Sequence, residues 1–552
     1  MRNISKILDF GRNNLNKMRP VNLAILLFII TLSFLLLTPK HTFAGGDLAM
    51  FLNGQVRVAQ GETPYKDFWT PYGALESYLP GTIYKYFGES INSILIINLL
   101  ISSLVVFFTF VLAWKIFKDN FYSVIVALLV FFNGLYWRTF YYIHAYILFL
   151  LISAIFLIVY LENKNKSYLL FSGIFSGIAF LFKVELAGAY GVALGIFLIF
   201  HNYLQKNKFS NLLNNLFIVA LGFALPFLLL VLIYPQVSHH IFKDMIFDAL
   251  DSGTSMNLPY FHSIISYKIL LSQKLSNFVG FSPLKILEIA YLFINIILIS
   301  LNYLLPFIVI GYFTYWLKSS KTGVNLIQPI IFMLLWSIMT LPKSLGRSAA
   351  SQLSHALMPL FFVQIALFIW FSQKYKPSKI VLSFKIITLS ILILSAMVVF
   401  SSSANVLIKE NYEIRSQHGS LLTDEKNIAE ETNKVIQLIY QYAPSDEDHI
   451  FVSTQEAPPF YALTNRKNPT YYSSMFDVII RPSVEKQKKM CADLIEKNTK
   501  IIIHDPYWGF DKLRRSDRMF LPTAQTLHNC IVQDFEFSTN IGKYQIYLPK
   551  SN

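Results

Sequence analysis

Long apolar runs broken by short polar turns recur along the first four hundred residues. Their lengths cluster near the ~20 residues a helix needs to cross a hydrocarbon core. They predict about eleven crossings, at 21–38, 92–113, 121–136, 141–161, 168–182, 186–201, 212–234, 286–317, 326–342, 355–372 and 379–400. Most runs are unbroken at strand or amphipathic-helix period, unlike the segments of a large soluble core. The run 286–317 is long and contains Pro306. It reads as one kinked crossing or as an interfacial segment leading into a shorter one.

Other segments alternate differently. Leu48, Phe51, Leu52, Val56 and Ala59 recur at helical spacing, with Asn53, Arg57 and Gln60 opposite. That predicts a helix lying in the membrane interface, stopped at Gly61. Pro64, Pro71 and Gly73 then predict turns, followed by a short helix from Ala74 to Phe87. Ile241, Phe242, Met245, Ile246, Ala249 and Leu250 form a second interfacial stripe. From about residue 408 the pattern turns soluble. It predicts a helix over 424–442, buried strands at 449–453 and 500–504, a polar helix over 484–498, and a hairpin of 531–537 with 544–548. The fold class is therefore a polytopic α-helical membrane domain over 1–400 with a small α/β domain over 401–552.

Composition agrees. Only 14% of the 552 residues are charged, against roughly 25% in soluble chains. The net charge of +15 raises the question of nucleic acid, but no basic stripe interleaved with aromatics stands on a soluble segment. The excess sits instead in alternate short loops, such as Lys115 and Lys118, Lys164 and Lys166, and Lys318 and Lys321. The opposite loops hold Arg138, Lys183, Lys343 and Arg347. The positive-inside rule then puts the N-terminus in the cytoplasm and the C-terminal domain outside an inner (plasma) membrane. The first apolar core is longer than the ~7–15 residues of a signal peptide, so it reads as a retained anchor. Outer segments 39–91, 235–285, 343–354 and the tail are left to carry chemistry. Both cysteines, Cys491 and Cys530, lie in the tail, where oxidising conditions permit a disulfide. Spacing alone does not decide whether they meet.

Candidate chemistry follows from where charge borders a span. Asp47 stands at an N-cap position just beyond the first span. It can simply cap, or it can take the proton from an attacking hydroxyl as a general base. Asp67 is a turn former or an acceptor contact, and Glu62 a solvated loop residue. Lys183 and Glu185 separate two apolar runs, either pairing to close a hairpin or leaving Lys183 to hold a lipid phosphate. Arg138 and His144 flank another short outer turn, where snorkelling competes with substrate binding. Arg347 and His355 frame the outer stretch that leads to Pro359, with Lys343 before them. A guanidinium fork suits a phosphate, and ordinary loop charge is the alternative. His239, His240 and His262 match no metal-ligand spacing. No Gly-rich nucleotide loop or paired-Asp nucleotide-sugar signature is present, and Gly173, Gly177 and Gly188 read as helix-packing glycines.

These features together resemble the GT-C class of membrane glycosyltransferases, in the bacterial branch grouped with protein mannosyltransferase-like enzymes. The resemblance rests on Asp47 early in the first outer loop, on the run Gly61 to Gly73, on the Gly346-Arg347 pair with His355 and Pro359 after it, and on Tyr461 to Arg466 in the tail. It implies a sugar taken from a polyprenyl-phosphate carrier and passed, with inversion, to a glycan, lipid or protein acceptor. It implies Asp47 as base, and Arg347, His355 and Lys183 as carrier ligands, with Asp67 and Arg138 as further substrate contacts. It also implies that Tyr461 to Arg466 binds acceptor or covers the site. Leu48 stands where one common variant has a second acid, which weakens a metal bridged by neighbouring carboxylates; no cofactor is certain, and a divalent metal is an alternative without support in these residues. A flippase or transporter would show inverted repeats with mid-span charges, and none is visible. A ligase moving a whole glycan would differ in donor length.

Overall fold

The computed structural model describes residues 12–37, 47–70, 72–135, 145–235, 262–276, 283–319, 324–346, 350–374, 379–408, 410–453, 459–472, 483–505 and 525–550. Each predicted crossing falls on a helix. Eight helices among the described residues are long and apolar enough to span a membrane: α1 (Pro20–Leu37), α4 (Ile91–Phe117), α6 (Ala145–Asn163), α8 (Val184–Leu204), α9 (Phe209–Ile233), α11 (Pro283–Ser319), α13 (Ala350–Lys374) and α14 (Lys379–Ile408). Three shorter apolar helices complete the set: α5 (Asn120–Val130), α7 (Lys166–Phe182) and α12 (Val324–Gly346). Between α1 and α4 lie α2 (Asp47–Ala59) and α3 (Ala74–Tyr86), and α10 (His262–Ser276) precedes α11. The long run around Pro306 is one helix, so the two-segment alternative falls away.

Small residues let helices meet backbone to backbone. A Cβ on Gly173 would lie 2.4 Å from the Val219 carbonyl oxygen, and one on Gly222 2.4 Å from that of Leu170, so α7 and α9 touch along their main chains. Polar side chains clamp other pairs. α5 ends in a π turn over Phe131–Leu135. Within it Asn133 donates to Ser395 Oγ at 2.6 Å and accepts from Asn302 at 2.9 Å, tying α5, α14 and α11.

The tail opens with a hairpin, β1 (Tyr412–Ser416) with β2 (Gly419–Thr423), turned at Gly419 with φ +115°. There follow α15 (Lys426–Tyr442), β3 (Ile450–Val452), α16 (Phe460–Thr464), α17 (Val484–Glu496), β4 (Ile501–His504), α18 (Gln525–Asp534), β5 (Phe535–Ile541) and β6 (Tyr544–Pro549). The sheet order is β3-β4-β6-β5, with β3 and β4 parallel and the rest antiparallel.

Two expectations need correcting here. The predicted strand at Ile531 begins only at Phe535, because 531–534 finish α18. Leu527, Cys530 and Ile531 fall at helical spacing and bury against Met490 and Leu494 of α17. Cys491 and Cys530 are joined as a disulfide there, with Cα atoms 6.2 Å apart. The second correction is α2. Phe51, Leu52, Val56 and Ala59 of its apolar stripe are buried, but the opposite side is buried too: Asn53 and Arg57 are both nearly inaccessible. The helix does not lie with a polar face in water, because the C-terminal domain covers that face.

Candidate active site

Arg57 is the pin of that covering contact. Its Nη1 donates to the Thr470 carbonyl at 2.7 Å and its Nη2 to the Asp67 carbonyl at 3.1 Å. Nε meets Glu62 at 2.6 Å, and the guanidinium lies 4.7 Å over the Phe68 ring. Asn465 takes the left-handed turn at the end of α16, and its carbonyl accepts from Gln60 at 3.0 Å. Arg466 donates to the Ala443 and Pro444 carbonyls and pairs with Asp446. The stretch Tyr461 to Arg466 is thus a buried docking piece laid against α2.

The loop after α2 is folded by its own polar groups. Asp67 accepts from the Thr63 backbone N–H at 2.8 Å, making the turn its position suggested. Tyr65 is buried at φ 65° and donates to the Tyr72 carbonyl. Gly73 then presses on the end of α7. Its N–H donates to the Phe182 carbonyl at 3.1 Å, and a Cβ there would sit 2.0 Å from the Leu181 carbonyl oxygen. Only glycine fits that approach. The result is to set Tyr72 beside Lys183.

Lys183 is the extended residue that separates α7 from α8, with φ −148°. Only 5% of it is exposed. Its Nζ lies 5.0 Å over the Tyr72 ring and 5.9 Å over that of Tyr146, at the start of α6. Glu185 Oε1 stands 4.0 Å from Lys183 Nζ and 3.2 Å from Lys343 Nζ at the end of α12. His355, in the second turn of α13, is buried, and its Nδ1 lies 2.5 Å from Tyr146 Oη. Four helix ends and one loop therefore bring two lysines, an acid, a histidine and two tyrosines to a single end of the bundle. A lysine so withdrawn from water and set among π faces and a carboxylate is suited to an anionic partner.

Residues 74–234 match the family described as dolichyl-phosphate-mannose-protein mannosyltransferase. The fold is similar to the crystal structure of the Archaeoglobus fulgidus oligosaccharyltransferase in the apo form. That likeness has a TM-score of 0.51 at 12% identity, over 88% of this chain and 70% of that one. The membrane domain thus has a GT-C-like fold. No curated protein matches the chain.

Within this GT-C-like fold the residues singled out in the sequence divide into three groups. Lys183 and His355 come together, joined by Lys343 and Glu185. Asp47 is the first residue of α2, and Asp67 lies in the loop below Arg57. Arg347, Arg138 and His144 lie outside the described residues, as do His239, His240 and the stripe at 241–250. Tyr72 and Tyr146 were not singled out. Tyr72 had a weak signal in its turn between Pro71 and Gly73, whereas Tyr146 sits in an apolar run with no signal at all. Among the described residues, the one group of metal-ligating side chains close enough to share an ion is Cys491, Cys530 and Asp534, and its two sulfurs are bonded to each other.

Proposed function

We propose that the protein transfers a sugar from a polyprenyl-phosphate carrier to a glycan, lipid or protein acceptor at the outer membrane face, with inversion at the anomeric carbon. The observation that carries this reading is the convergence of Lys183, Lys343 and His355 beneath the first loop. The leaving group is a phosphate, so catalysis needs fixed cations where its charge develops. Lys183 and Lys343 supply them, with Arg347 on the loop that follows Lys343. Asp47 takes the acceptor's proton as its oxygen attacks, and the phosphate oxygen keeps the electron pair of the broken bond. The family description supports a lipid-phosphate sugar as donor, since it names such a carrier. In this orientation the N-terminus is cytoplasmic and the C-terminal domain lies outside the inner membrane.

The test is transfer from radiolabelled polyprenyl-phosphate monosaccharides to a membrane lipid extract, with purified wild type, Asp47→Asn and Lys183→Met. Wild type is expected to move label. Both variants are expected to lose at least about 100-fold in rate, the scale of one catalytic base or one charge-stabilising donor. Wild-type turnover by a folded Asp47→Asn protein removes Asp47 as base. Label moving only from a lipid-linked oligosaccharide would replace this reading with whole-glycan ligation. Carrier binding with no transfer would favour lipid transport.

A further inference from the structure

Glu185 is an acid set between two lysines at a site suited to an anion. Its Oε1 is 3.2 Å from Lys343 Nζ and 4.0 Å from Lys183 Nζ, in the first turn of α8. Both ammonium groups and the N-terminal end of that helix face the carboxylate. An ion pair serving only to hold α8 against α12 would need one lysine. Here a single carboxylate faces both, and its side chain is still about a quarter exposed, like that of Lys343.

We infer that Glu185 sets the charge of the carrier site so that the spent carrier leaves. This rests on the polyprenyl-phosphate reading above. The donor phosphate is a diester with one negative charge. Transfer breaks the bond between the anomeric carbon and the phosphate oxygen, which keeps the electron pair. The acceptor oxygen bonds to that carbon and its proton goes to the base. The spent carrier is then a monoester whose second pKa is near ~6, so at neutral pH it carries close to two charges. Fixed cations attract that dianion about twice as strongly as the donor. Two lysines without a counter-charge would therefore hold product better than substrate. Glu185 cancels one unit of that field, and its repulsion falls twice as heavily on the product. The effect is a difference between the two lipids, so it operates whatever other cations line the site.

The experiment measures binding of two lipids to full-length wild type, Glu185→Gln and Glu185→Asp: polyprenyl monophosphate and its methyl diester, which keeps a single charge throughout the pH range used. Wild type is expected to bind the two within a few-fold of each other at pH about 8. Glu185→Gln is expected to shift the preference towards the monoester by about tenfold. The shift should vanish at pH about 5, where the monoester also carries one charge. Glu185→Asp should keep the wild-type preference. In the transfer assay the glutamine variant should show stronger inhibition by polyprenyl phosphate and a larger gap between single-turnover and steady-state rates. An unchanged preference in Glu185→Gln overturns the inference while leaving the carrier reading intact. Equal loss of both lipids in both variants also overturns it, marking Glu185 as a residue that only holds the helices. Failure of wild type to bind either lipid overturns the carrier reading, and this inference with it.

Discussion

The two ends of the helix bundle handle charge in opposite ways. At one end Arg12 meets Asp119 at 2.9 Å, and Lys115 and Lys118 meet Glu162 at 3.4 and 2.9 Å. Arg12 and Lys118 there are about half exposed. Such pairs contribute roughly 0–1 kcal/mol. At the other end Arg57 and Lys183 are almost wholly withdrawn from water, each enclosed by aromatic faces and carboxylates drawn from several elements. His201 is the exception at the first end, buried between Lys164 and Gln328, where it ties α8 to α12. A charge in a loop is cheap and reports sidedness. A charge kept from water is costly and has to be supported by everything around it.

That contrast can be broken experimentally. The largest effect is expected from Arg57→Ala, which leaves Glu62 and the Thr470 and Asp67 carbonyls without their partner. Removing one side of a buried pair costs about 3–5 kcal/mol. The C-terminal domain should loosen from α2, read as faster proteolysis near residue 410. If proteolysis is unchanged, Arg57 is not the pin.

Acid tests the same domain by another route. His504 is buried, with Nδ1 against Ser453 and Nε2 2.8 Å from His528 Nδ1. Burial, and then the neighbouring His528, push its pKa down to about 4. It folds neutral, so the stability it contributes is complete above its unfolded value of ~6.5 and is lost as pH falls from there towards 4. The loss is on the order of 3 kcal/mol. A melting temperature of the domain that stays flat between pH 7 and 4 would remove this assignment.

Gly73→Ala is expected to be next in size. The added methyl meets the Leu181 carbonyl, and the loop must retreat at a cost of about 1–3 kcal/mol. Transfer activity should fall with it, since Tyr72 would leave Lys183. Lys118→Ala, at the other end, should change stability by less than about 1 kcal/mol and leave transfer untouched. A large effect there would erase the distinction between the two ends.

Much of the membrane architecture was legible because apolar length is a local property. A helix in lipid must satisfy its own backbone, so ~20 apolar residues specify it whatever its neighbours are. The α/β tail was legible in part for a similar reason, through buried strands at 450–452 and 501–504. Its missed hairpin at 412–423 and the late start of β5 reflect short elements whose state is chosen by what they pack against. In the candidate site, Lys183, His355, Lys343 and Glu185 stood out because charge at the border of a span is rare. Tyr146 did not, since an aromatic in an apolar run is ordinary until a lysine and a histidine from other helices arrive beside it.

By itself, then, the sequence determined which segments are helical in the membrane, where the soluble tail begins, and which charges border the spans. Each of these depends on a residue and its near neighbours. Only the tertiary structure decided that the polar face of α2 is covered by the tail, that Gly73 sets Tyr72 against Lys183, and that Glu185 faces two lysines. Those facts join residues up to 413 positions apart. Their energies come from contacts that chain order does not encode.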